Sequence, residues 1–246
     1  MINFSELPSH TVMGRICRYP LRMLPRNLVV PILRGTLRGK KWIVGSQRHA
    51  FWLGSYEIAV QHCIAREVKP QGVFYDVGAN VGFYSLFAAT LIGSGKVFAF
   101  EPVPANIVYL RKHLQLNGIT NVSPLELAVC DQTGRFFFAV EDSGSMGRLQ
   151  PGGALEVETT TLDALIQEQK VPPPTYVKMD IEGAELKALL GAKACFARYQ
   201  PKLFLSTHGE KVHEECCQLL RSWNFTLHPI GKPTPDRAEI FATLVA

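Results

Sequence analysis

The chain has 246 residues, of which 47% are apolar and 19% charged, and its formal net charge is +5. Such a composition is typical of a folded domain and excludes a disordered chain, a collagen-like repeat and a coiled coil. No apolar run approaches the ~18 residues that a membrane span needs, and the first residues lack the charged-then-apolar order of a secretory signal.

The positive charge is concentrated at the N-terminus. Residues 1–50 contain nine Arg or Lys and a single acid, whereas residues 51–246 contain 17 basic and 20 acidic residues. Pro20, Pro25 and Pro31 would each interrupt a helix, so we expect short helical or extended pieces in this segment. The sequence therefore predicts an N-terminal basic extension over residues 1–50, followed by one domain over residues 51–246.

Two roles suit the basic extension. Residues 10–41 would touch an anionic membrane surface, or the segment would wrap the body as a solvated arm. Nucleic acid is not favoured as a partner, because the body is net acidic and basic residues do not alternate with aromatic ones. The six cysteines form no Cys-x-x-Cys pair, which predicts a reduced, cytoplasmic protein, peripheral at the membrane if the extension binds lipid.

From residue 71 onward, strand-like and helix-like segments alternate. We predict strands at 73–77, 96–100, 122–129, 135–140, 156–160, 176–179, 202–206, 225–228 and 239–245. The predicted helices cover 81–92, 104–117, 161–169, 184–190 and 211–223. This order predicts an α/β fold, with a mainly parallel sheet and helices on both faces. Ligands of such sheets lie beyond the carboxyl ends of the strands.

A glycine-rich turn follows the first of these strands. Gly78 and Gly82 allow the backbone to approach a ligand closely, and the next helix offers free N–H groups to an anion. The turn departs from the dinucleotide fingerprint. Asn80 stands where that pattern has a glycine, and Phe83 stands where it has a glycine or an alanine. A purely structural turn is the alternative interpretation.

Acidic residues mark the ends of the first two strands. Glu101 follows the second strand and can accept two hydrogen bonds from ribose hydroxyls, which indicates a nucleoside ligand. Asp76, at the end of the first strand, adds a second acid and favours a ligand that carries positive charge. S-adenosylmethionine fits both features, because it joins a ribose to a sulfonium and an ammonium group.

A second cluster of charged residues follows the strand at 176–179. Lys178, Asp180, Glu182 and Glu185 lie within eight residues, and the next strand ends near His208. Acids are also common at helix N-termini without any further role. In a parallel sheet, however, His208 should point toward the same cleft as Asp180.

Five motifs occur in one order: DVGANVGFYSL, FAFEPVPAN followed by LQLNG, TTLDAL, VKMDIEGAE and THG. Over residues 35–210 the sequence resembles the FkbM family of S-adenosylmethionine-dependent O-methyltransferases. The resemblance implies a class I, Rossmann-like methyltransferase fold whose seven-stranded sheet has an antiparallel last strand. It also implies methyl transfer to a hydroxyl of a small molecule, either a sugar or glycolipid or a polyketide-type natural product.

The resemblance assigns roles to individual residues. The implied cofactor-binding residues are Asp76, Gly78, Asn80, Gly82 and Glu101, with Asp131 near the adenine. The implied acceptor-facing residues are Asp180, Glu182 and His208. Family members commonly carry an acid shortly before the histidine, whereas this chain has Ser206 and Thr207 there.

An alcohol is a poor nucleophile toward a sulfonium methyl group unless a base or a metal ion assists loss of its proton. Asp180 or His208 would be the base, and Lys178 would stabilise a developing alkoxide or orient Asp180. A divalent ion, Mg²⁺ or Mn²⁺, held by Asp180, Glu182 and His208 is a further hypothesis. The loop at 141–153 would be a lid over the acceptor or a plain surface loop.

Three other functions remain as alternatives. A nicotinamide-dependent oxidoreductase shares the architecture but has a third glycine in its turn. An RNA methyltransferase would use the basic extension to bind phosphate. A non-catalytic binding module would use residues 10–41 as an interfacial membrane anchor.

Overall fold

The first described strands form a short hairpin that lies against the main domain. The computed structural model describes residues 21, 23–140, 147–149, 155–234 and 236–244. Strand β1 (Val29–Pro31) pairs antiparallel with β2 (Lys41–Ile43), and a 3-10 turn over Val44–Ser46 follows. These are short pieces of the predicted kind. Part of the predicted lipid-binding segment (10–20) and most of the predicted lid (141–153) lie outside the described residues.

A seven-stranded sheet forms the centre of the domain, as predicted. Its strands in spatial order are β12 (Phe225–Pro229), β13 (Arg237–Leu244), β11 (Lys202–His208), β10 (Tyr176–Met179), β3 (Val73–Val77), β4 (Lys96–Phe100) and β5 (Val122–Leu125). Strand β13 runs antiparallel to both neighbours, and the other pairs are parallel. The strand order reverses at β3 and β10, where an open α/β sheet binds its ligand.

A second sheet of four strands follows β5. Its spatial order is β6 (Ala128–Val129), β9 (Leu155–Thr160), β7 (Gly134–Val140) and β8 (Gly147–Leu149). The prediction of a single strand over 122–129 was wrong. The chain turns where the Leu127 N–H donates to the Leu125 carbonyl, and β6 then pairs with β9. Glu126 stands between Leu125 and Leu127, which is also the alternation of a strand, so the hydrophobic pattern alone does not mark the turn.

Helices connect the strands and cover the central sheet. They are α1 (Ala50–Leu53), α2 (Ile58–Glu67), α3 (Phe83–Ile92), α4 (Pro104–Leu116), α5 (Leu162–Gln167), α6 (Glu185–Leu190), α7 (Lys193–Tyr199) and α8 (Glu210–Ser222). The sequence did not predict α7, and it placed the start of α5 one residue early. Thr161 caps α5, because its hydroxyl accepts the Ala164 N–H. Among the described helices, none is long and apolar enough to cross a membrane.

Each face of the central sheet has its own apolar cluster. Successive residues of a strand point to opposite faces. Phe74 and Tyr176 accordingly pack in a first cluster with α3, whereas Tyr75 and Val177 pack in a second cluster with α5, α6, α7 and α8. Because β3 and β10 are buried on both faces, their sequences are almost continuously apolar, which is how they could be predicted.

The N-terminal segment contributes to the first cluster. Trp42 is fully buried, and its ring stacks on His113 with 3.8 Å between ring centroids. The Ile43 N–H donates to His113 Nε2, so Nδ1 carries the proton and donates to the Val81 carbonyl. Burial lowers the pKa of His113 to about 4. This neutral ring connects β2, α4 and the glycine turn. The domain boundary at residue 50 stays a prediction, and packing continues across it.

Candidate active site

An open cleft lies at the carboxyl ends of β3, β4 and β10, the edge at which the sequence predicted the ligand. Its volume, with the mouth included, is about 1040 Å³. The predicted site residues that line it are Gly78, Asn80, Glu101, Lys178, Asp180 and Glu182. The N-terminal segment and the last strand also contribute to its wall, through Gln47, Arg48, Phe51, Tyr56 and Arg237. The cofactor-side and acceptor-side candidates therefore share one space.

The glycine turn after β3 brings two strand ends together. Gly78 has φ +84, and a Cβ atom there would collide with the Asp180 carbonyl oxygen. Gly82 has φ +91 and precedes α3, and its Cβ would lie 2.9 Å from Leu110 on α4. This cap is why α3 begins at Phe83 and not at the predicted residue 81. Gly82 is not among the residues that line the cleft, so its contacts indicate an indirect role.

Glu101 is buried and closely bound by its surroundings. Its Oε2 accepts the Asn80 N–H at 2.8 Å. Its Oε1 accepts the Val103 N–H at 2.9 Å and the Asn106 amide at 3.1 Å. A carboxylate has about four acceptor positions, so three are occupied and one remains on Oε2. The structure thus leaves room for one ribose hydrogen bond, where the sequence had suggested two.

The charge of Glu101 depends on pH in the neutral range. Burial raises its pKa, the hydrogen bonds from Val103, Asn106 and Asn80 lower it, and the result is about 7. The Glu101 carboxyl group is therefore only partly ionised at neutral pH. A ligand that donates to Oε2 favours the ionised form.

Besides Gly82, two predicted cofactor residues, Asp76 and Asp131, do not line the cleft. Asp76 is fully buried behind it, where Ser85 Oγ donates to Oδ2 at 2.6 Å, and burial raises its pKa. Asp76 lies directly opposite Lys178 on the neighbouring strand. Asp131 is exposed, and its carboxylate accepts a hydrogen bond from the Cys130 thiol. The roles of both acids toward the cofactor stay predictions, and only Asp76 is next to a residue of the cleft wall.

A buried ion pair forms the floor of the acceptor side. Lys178 Nζ lies 3.3 Å from Asp180 Oδ2 and 4.4 Å from the centroid of the Tyr84 ring. Burial opposes the charge of Lys178, but Asp180 and Glu57 outweigh it and raise the lysine pKa. Burial would likewise raise the pKa of Asp180, but Lys178 and the neighbouring cations lower it to about 2. Asp180 is therefore ionised throughout the neutral range.

The sequence did not predict Arg237, which connects three elements at this site. Its Nη2 lies 2.6 Å from Glu57 Oε1 and 2.9 Å from Asp180 Oδ2, and its Nε lies 2.9 Å from Glu239 Oε1. Glu57 also accepts the Tyr84 hydroxyl at 2.7 Å. The period-two spacing of Arg237 and Glu239 on one face of the last strand was the only sequence signal.

The missing acid before His208 has a structural counterpart. Ser206 lies directly opposite Glu239 on the antiparallel partner strand, and its hydroxyl donates to Glu239 Oε2 at 2.9 Å. A carboxylate therefore lies beside this strand end, although a different strand supplies it.

His208 does not line the cleft but contacts two residues that do. Its Nε2 lies 3.6 Å from Asp180 Oδ1 and 3.4 Å from Glu182 Oε2. Its Nδ1 donates to Glu185 Oε1 at 2.8 Å. Burial lowers the pKa of His208, but the bond to Glu185 and the charges of Asp180 and Glu182 outweigh it and raise the pKa.

Glu185, like Arg237, has a role at this site that the sequence did not predict. Its side chain is fully buried, and its Oε1 also accepts the N–H groups of Ile181 and Gly183. It thereby holds the turn that carries Glu182, whose φ is 52. The second acid of the EGAE motif was its signal in the sequence.

Comparisons with known proteins test the predicted family. The Methyltransferase FkbM domain family matches residues 76–227. The hexuronic acid methyltransferase AglP of Haloferax volcanii is 30% identical over 130 residues, 52% of this chain and 53% of that protein. The 31-O-demethyl-FK506 methyltransferase FkbM of Streptomyces tacrolimicus is 26% identical over 209 residues, 70% of this chain and 80% of that protein. The chain thus spans about half the length of the first relative.

The fold has counterparts among solved structures. A Streptococcus mutans protein, described as a candidate methyltransferase and solved with SAH, superposes with a TM-score of 0.50 at 12% identity, over 77% of this chain and 98% of that one. At this identity the likeness concerns the fold alone, and it confirms the class I prediction. With most of the chain from β3 to β12 matched by one family model, this chain belongs to the FkbM family of S-adenosylmethionine-dependent methyltransferases.

Proposed function

We propose that this protein transfers a methyl group from S-adenosylmethionine to a hydroxyl oxygen of a small molecule. The meeting of Glu101 and Asp180 in one cleft carries the proposal. The Glu101 carboxylate, which suits a ribose, faces the same space as Asp180, a carboxylate that is ionised at neutral pH and suits an alcohol. Both ligands of the reaction would then lie at the usual binding edge of the sheet.

The cofactor side of the proposal uses the turn after β3 and the end of β4. Glu101 Oε2 accepts a ribose hydroxyl, and the backbone around Gly78 and Asn80 approaches the rest of the cofactor. Asp76 acts from behind the wall, through its field on Lys178. Gly82 sets the position of the turn. Asp131 near the adenine is the least supported of these assignments.

The reaction is a displacement at carbon. The acceptor oxygen forms a bond to the methyl carbon as the carbon–sulfur bond breaks, and the sulfonium becomes a neutral thioether. The hydroxyl proton leaves to a base and then to water. Since alignment of oxygen, carbon and sulfur is the main requirement, the rigid walls of the cleft supply much of the catalysis.

Asp180 is the better candidate for the base. It lines the cleft, whereas His208 reaches the cleft only through Asp180 and Glu182. Lys178 and Arg237 hold Asp180 Oδ2, so Oδ1 is the oxygen that we assign to the acceptor. Lys178 therefore orients Asp180, and its charge also stabilises an alkoxide that develops nearby.

The acceptor is a sugar or a polyketide-type alcohol. The names of the two relatives support this class, because they refer to a hexuronic acid and to 31-O-demethyl-FK506. Incubation with methyl-tritiated S-adenosylmethionine and a panel of uronic acids, neutral glycosides and macrolide alcohols should label at least one class. Label recovered in RNA, or hydride transfer with a nicotinamide cofactor and no binding of S-adenosylhomocysteine, would contradict the proposal.

A membrane surface is the proposed second partner. Exposed apolar side chains cluster in the described part of the N-terminal segment, namely Met23, Leu28, Val29 and Leu33. The same stretch carries the exposed cations Arg26, Arg34, Arg38 and Lys41, and it contains no acid. Apolar side chains between cations suit an interface with anionic lipid, where each basic residue contributes about 1 kcal/mol. The segment leads directly to Gln47 and Arg48 on the cleft wall.

The full chain should sediment with vesicles that contain phosphatidylserine and should be released by high salt, because salt screens the attraction of the cations. Val29→Glu with Leu33→Glu should weaken sedimentation, whereas Val108→Glu, at an exposed site on α4, is the matched control. Equal recovery with neutral phosphatidylcholine vesicles, or none with either, would argue against this partner.

A further inference from the structure

Three potential metal ligands converge at the end of β10 and β11. One ligand atom from each of Asp180, Glu182 and His208 lies within 4.8 Å of the others. The His208 Nε2 is 3.6 Å from Asp180 Oδ1 and 3.4 Å from Glu182 Oε2. Adjacent ligands around an octahedral ion with bonds of about 2.1 Å lie about 3 Å apart, so the two distances to His208 Nε2 exceed that spacing by only about 0.4–0.6 Å.

The orientation of His208 gives independent support. Glu185 is fully buried and accepts the Nδ1–H of His208, so that Nε2 faces the two carboxylates. Metal-binding histidines usually donate their other ring N–H to a carboxylate or carbonyl, which sets the ring orientation. Lys178 and Arg237 hold Asp180 by Oδ2, which leaves Oδ1 facing His208 Nε2.

The charges at this end of the cleft do not balance. The network contains five carboxylates, those of Glu57, Asp180, Glu182, Glu185 and Glu239. Among the described residues of this network, the cations are Lys178, Arg237 and, when protonated, His208. Uncompensated charges are costly when they are buried. S-adenosylmethionine brings one net positive charge, which leaves a negative excess beside the acceptor position.

The geometry points to a divalent-cation site formed by Asp180 Oδ1, Glu182 Oε2 and His208 Nε2, with Glu185 as a positioning residue. Two carboxylates and one imidazole suit Mg²⁺ or Mn²⁺. This inference rests on the proposed function, because the ion would bind the acceptor hydroxyl and ease loss of its proton to water, with Asp180 then serving as a ligand and not as the base. Asp180 and Glu182 line the cleft, so an acceptor bound there would lie beside the ion.

Manganese binding tests the site directly. The full-length protein is freed of metal with a chelator, saturated with S-adenosylhomocysteine and titrated with Mn²⁺, with free ion followed by electron paramagnetic resonance. Wild-type protein should bind one Mn²⁺ per chain, and Mg²⁺ should compete. Glu182→Gln and His208→Ala should lose this stoichiometric binding, and Glu185→Gln should weaken it by about 10–100-fold.

Matched controls separate the site from general effects on the surface charge. Glu158→Gln removes an exposed carboxylate of the second sheet, and His62→Ala removes an exposed histidine of α2. Both should bind Mn²⁺ like the wild type. Absence of stoichiometric Mn²⁺ in the wild type, or unchanged binding in both Glu182→Gln and His208→Ala, would overturn the site.

The same samples distinguish this inference from the proposed function. S-adenosylhomocysteine affinity, measured by calorimetry without metal, should be the same in the wild type and Glu182→Gln, because the cofactor side is separate from the ligands. If cofactor binding and methyl transfer persist in EDTA and no Mn²⁺ binds, the metal site is refuted and the proposed methyltransferase function stands. Loss of cofactor binding in the wild type would instead contradict the proposed function.

Discussion

Replacing Asp180 by asparagine should slow methyl transfer by about 10²–10⁴-fold, the range for loss of a positioned general base. The amide keeps the size of the side chain but cannot accept the proton at Oδ1 as a carboxylate does. Affinity for S-adenosylhomocysteine should stay close to that of the wild type, because Glu101 and the glycine turn form the cofactor side. The measurements are steady-state turnover with an identified acceptor and calorimetric cofactor binding.

The choice of asparagine follows from the buried ion pairs. Alanine would leave Lys178 and Arg237 facing each other without Asp180 between them, and breaking a buried pair in this way costs about 3–5 kcal/mol. Asp236→Asn is a matched control, since Asp236 is exposed and its backbone carbonyl accepts the Gly209 N–H. Turnover of Asp180→Asn at the wild-type rate would rule out Asp180 as the base.

The second large effect is expected at Glu101. Glu101→Ala should weaken S-adenosylhomocysteine binding by about 1–3 kcal/mol, the scale for losing a hydrogen bond to a charged group. The substitution also removes the acceptor of three donors, those of Asn80, Val103 and Asn106. Melting temperatures must therefore be measured beside the calorimetry, with Glu158→Ala as an exposed control. Wild-type affinity in a folded Glu101→Ala protein would refute the assignment.

The affinity for S-adenosylhomocysteine should also depend on pH through Glu101. The free protein holds a proton on Glu101 below its pKa of about 7, and the protonated oxygen is a poorer acceptor for the ribose. A ligand that needs the carboxylate must displace this proton, so binding strengthens as pH rises and levels off above 7. For one such group, affinity should be roughly tenfold weaker at pH 6 than at pH 8. A pH-independent affinity in the wild type would mean that the ribose does not use this carboxylate.

Much of the fold could be predicted because buried strands have a mostly apolar local sequence. Strands β3, β4 and β10 are short apolar runs between turn residues, and their ends carry Asp76, Glu101 and Asp180. Where a turn keeps the alternation of a strand, the prediction was wrong. Glu126 stands between Leu125 and Leu127 as a polar residue does in a half-buried strand, yet the chain leaves the central sheet after Leu125 and β6 joins another sheet.

The candidate site could be predicted only in part, for a related reason. The motif residues Gly78, Glu101 and Asp180 meet at one cleft because parallel strands end at the same edge of the sheet. Asp131 also follows an apolar strand, but β6 belongs to the second sheet and leaves this acid exposed. A residue at a strand end is thus informative only if its strand lies in the central sheet.

The sequence by itself determined the family, the parallel sheet and the acids at its strand ends, because motif order and apolar patterning are local properties of the chain. Only the tertiary structure decided which charges those acids meet. Arg237 lies 57 residues from Asp180 along the chain, and the antiparallel register of β13 against β11 brings it to the cleft. Register depends on side chains of both strands at once, so neither strand's sequence specifies it alone.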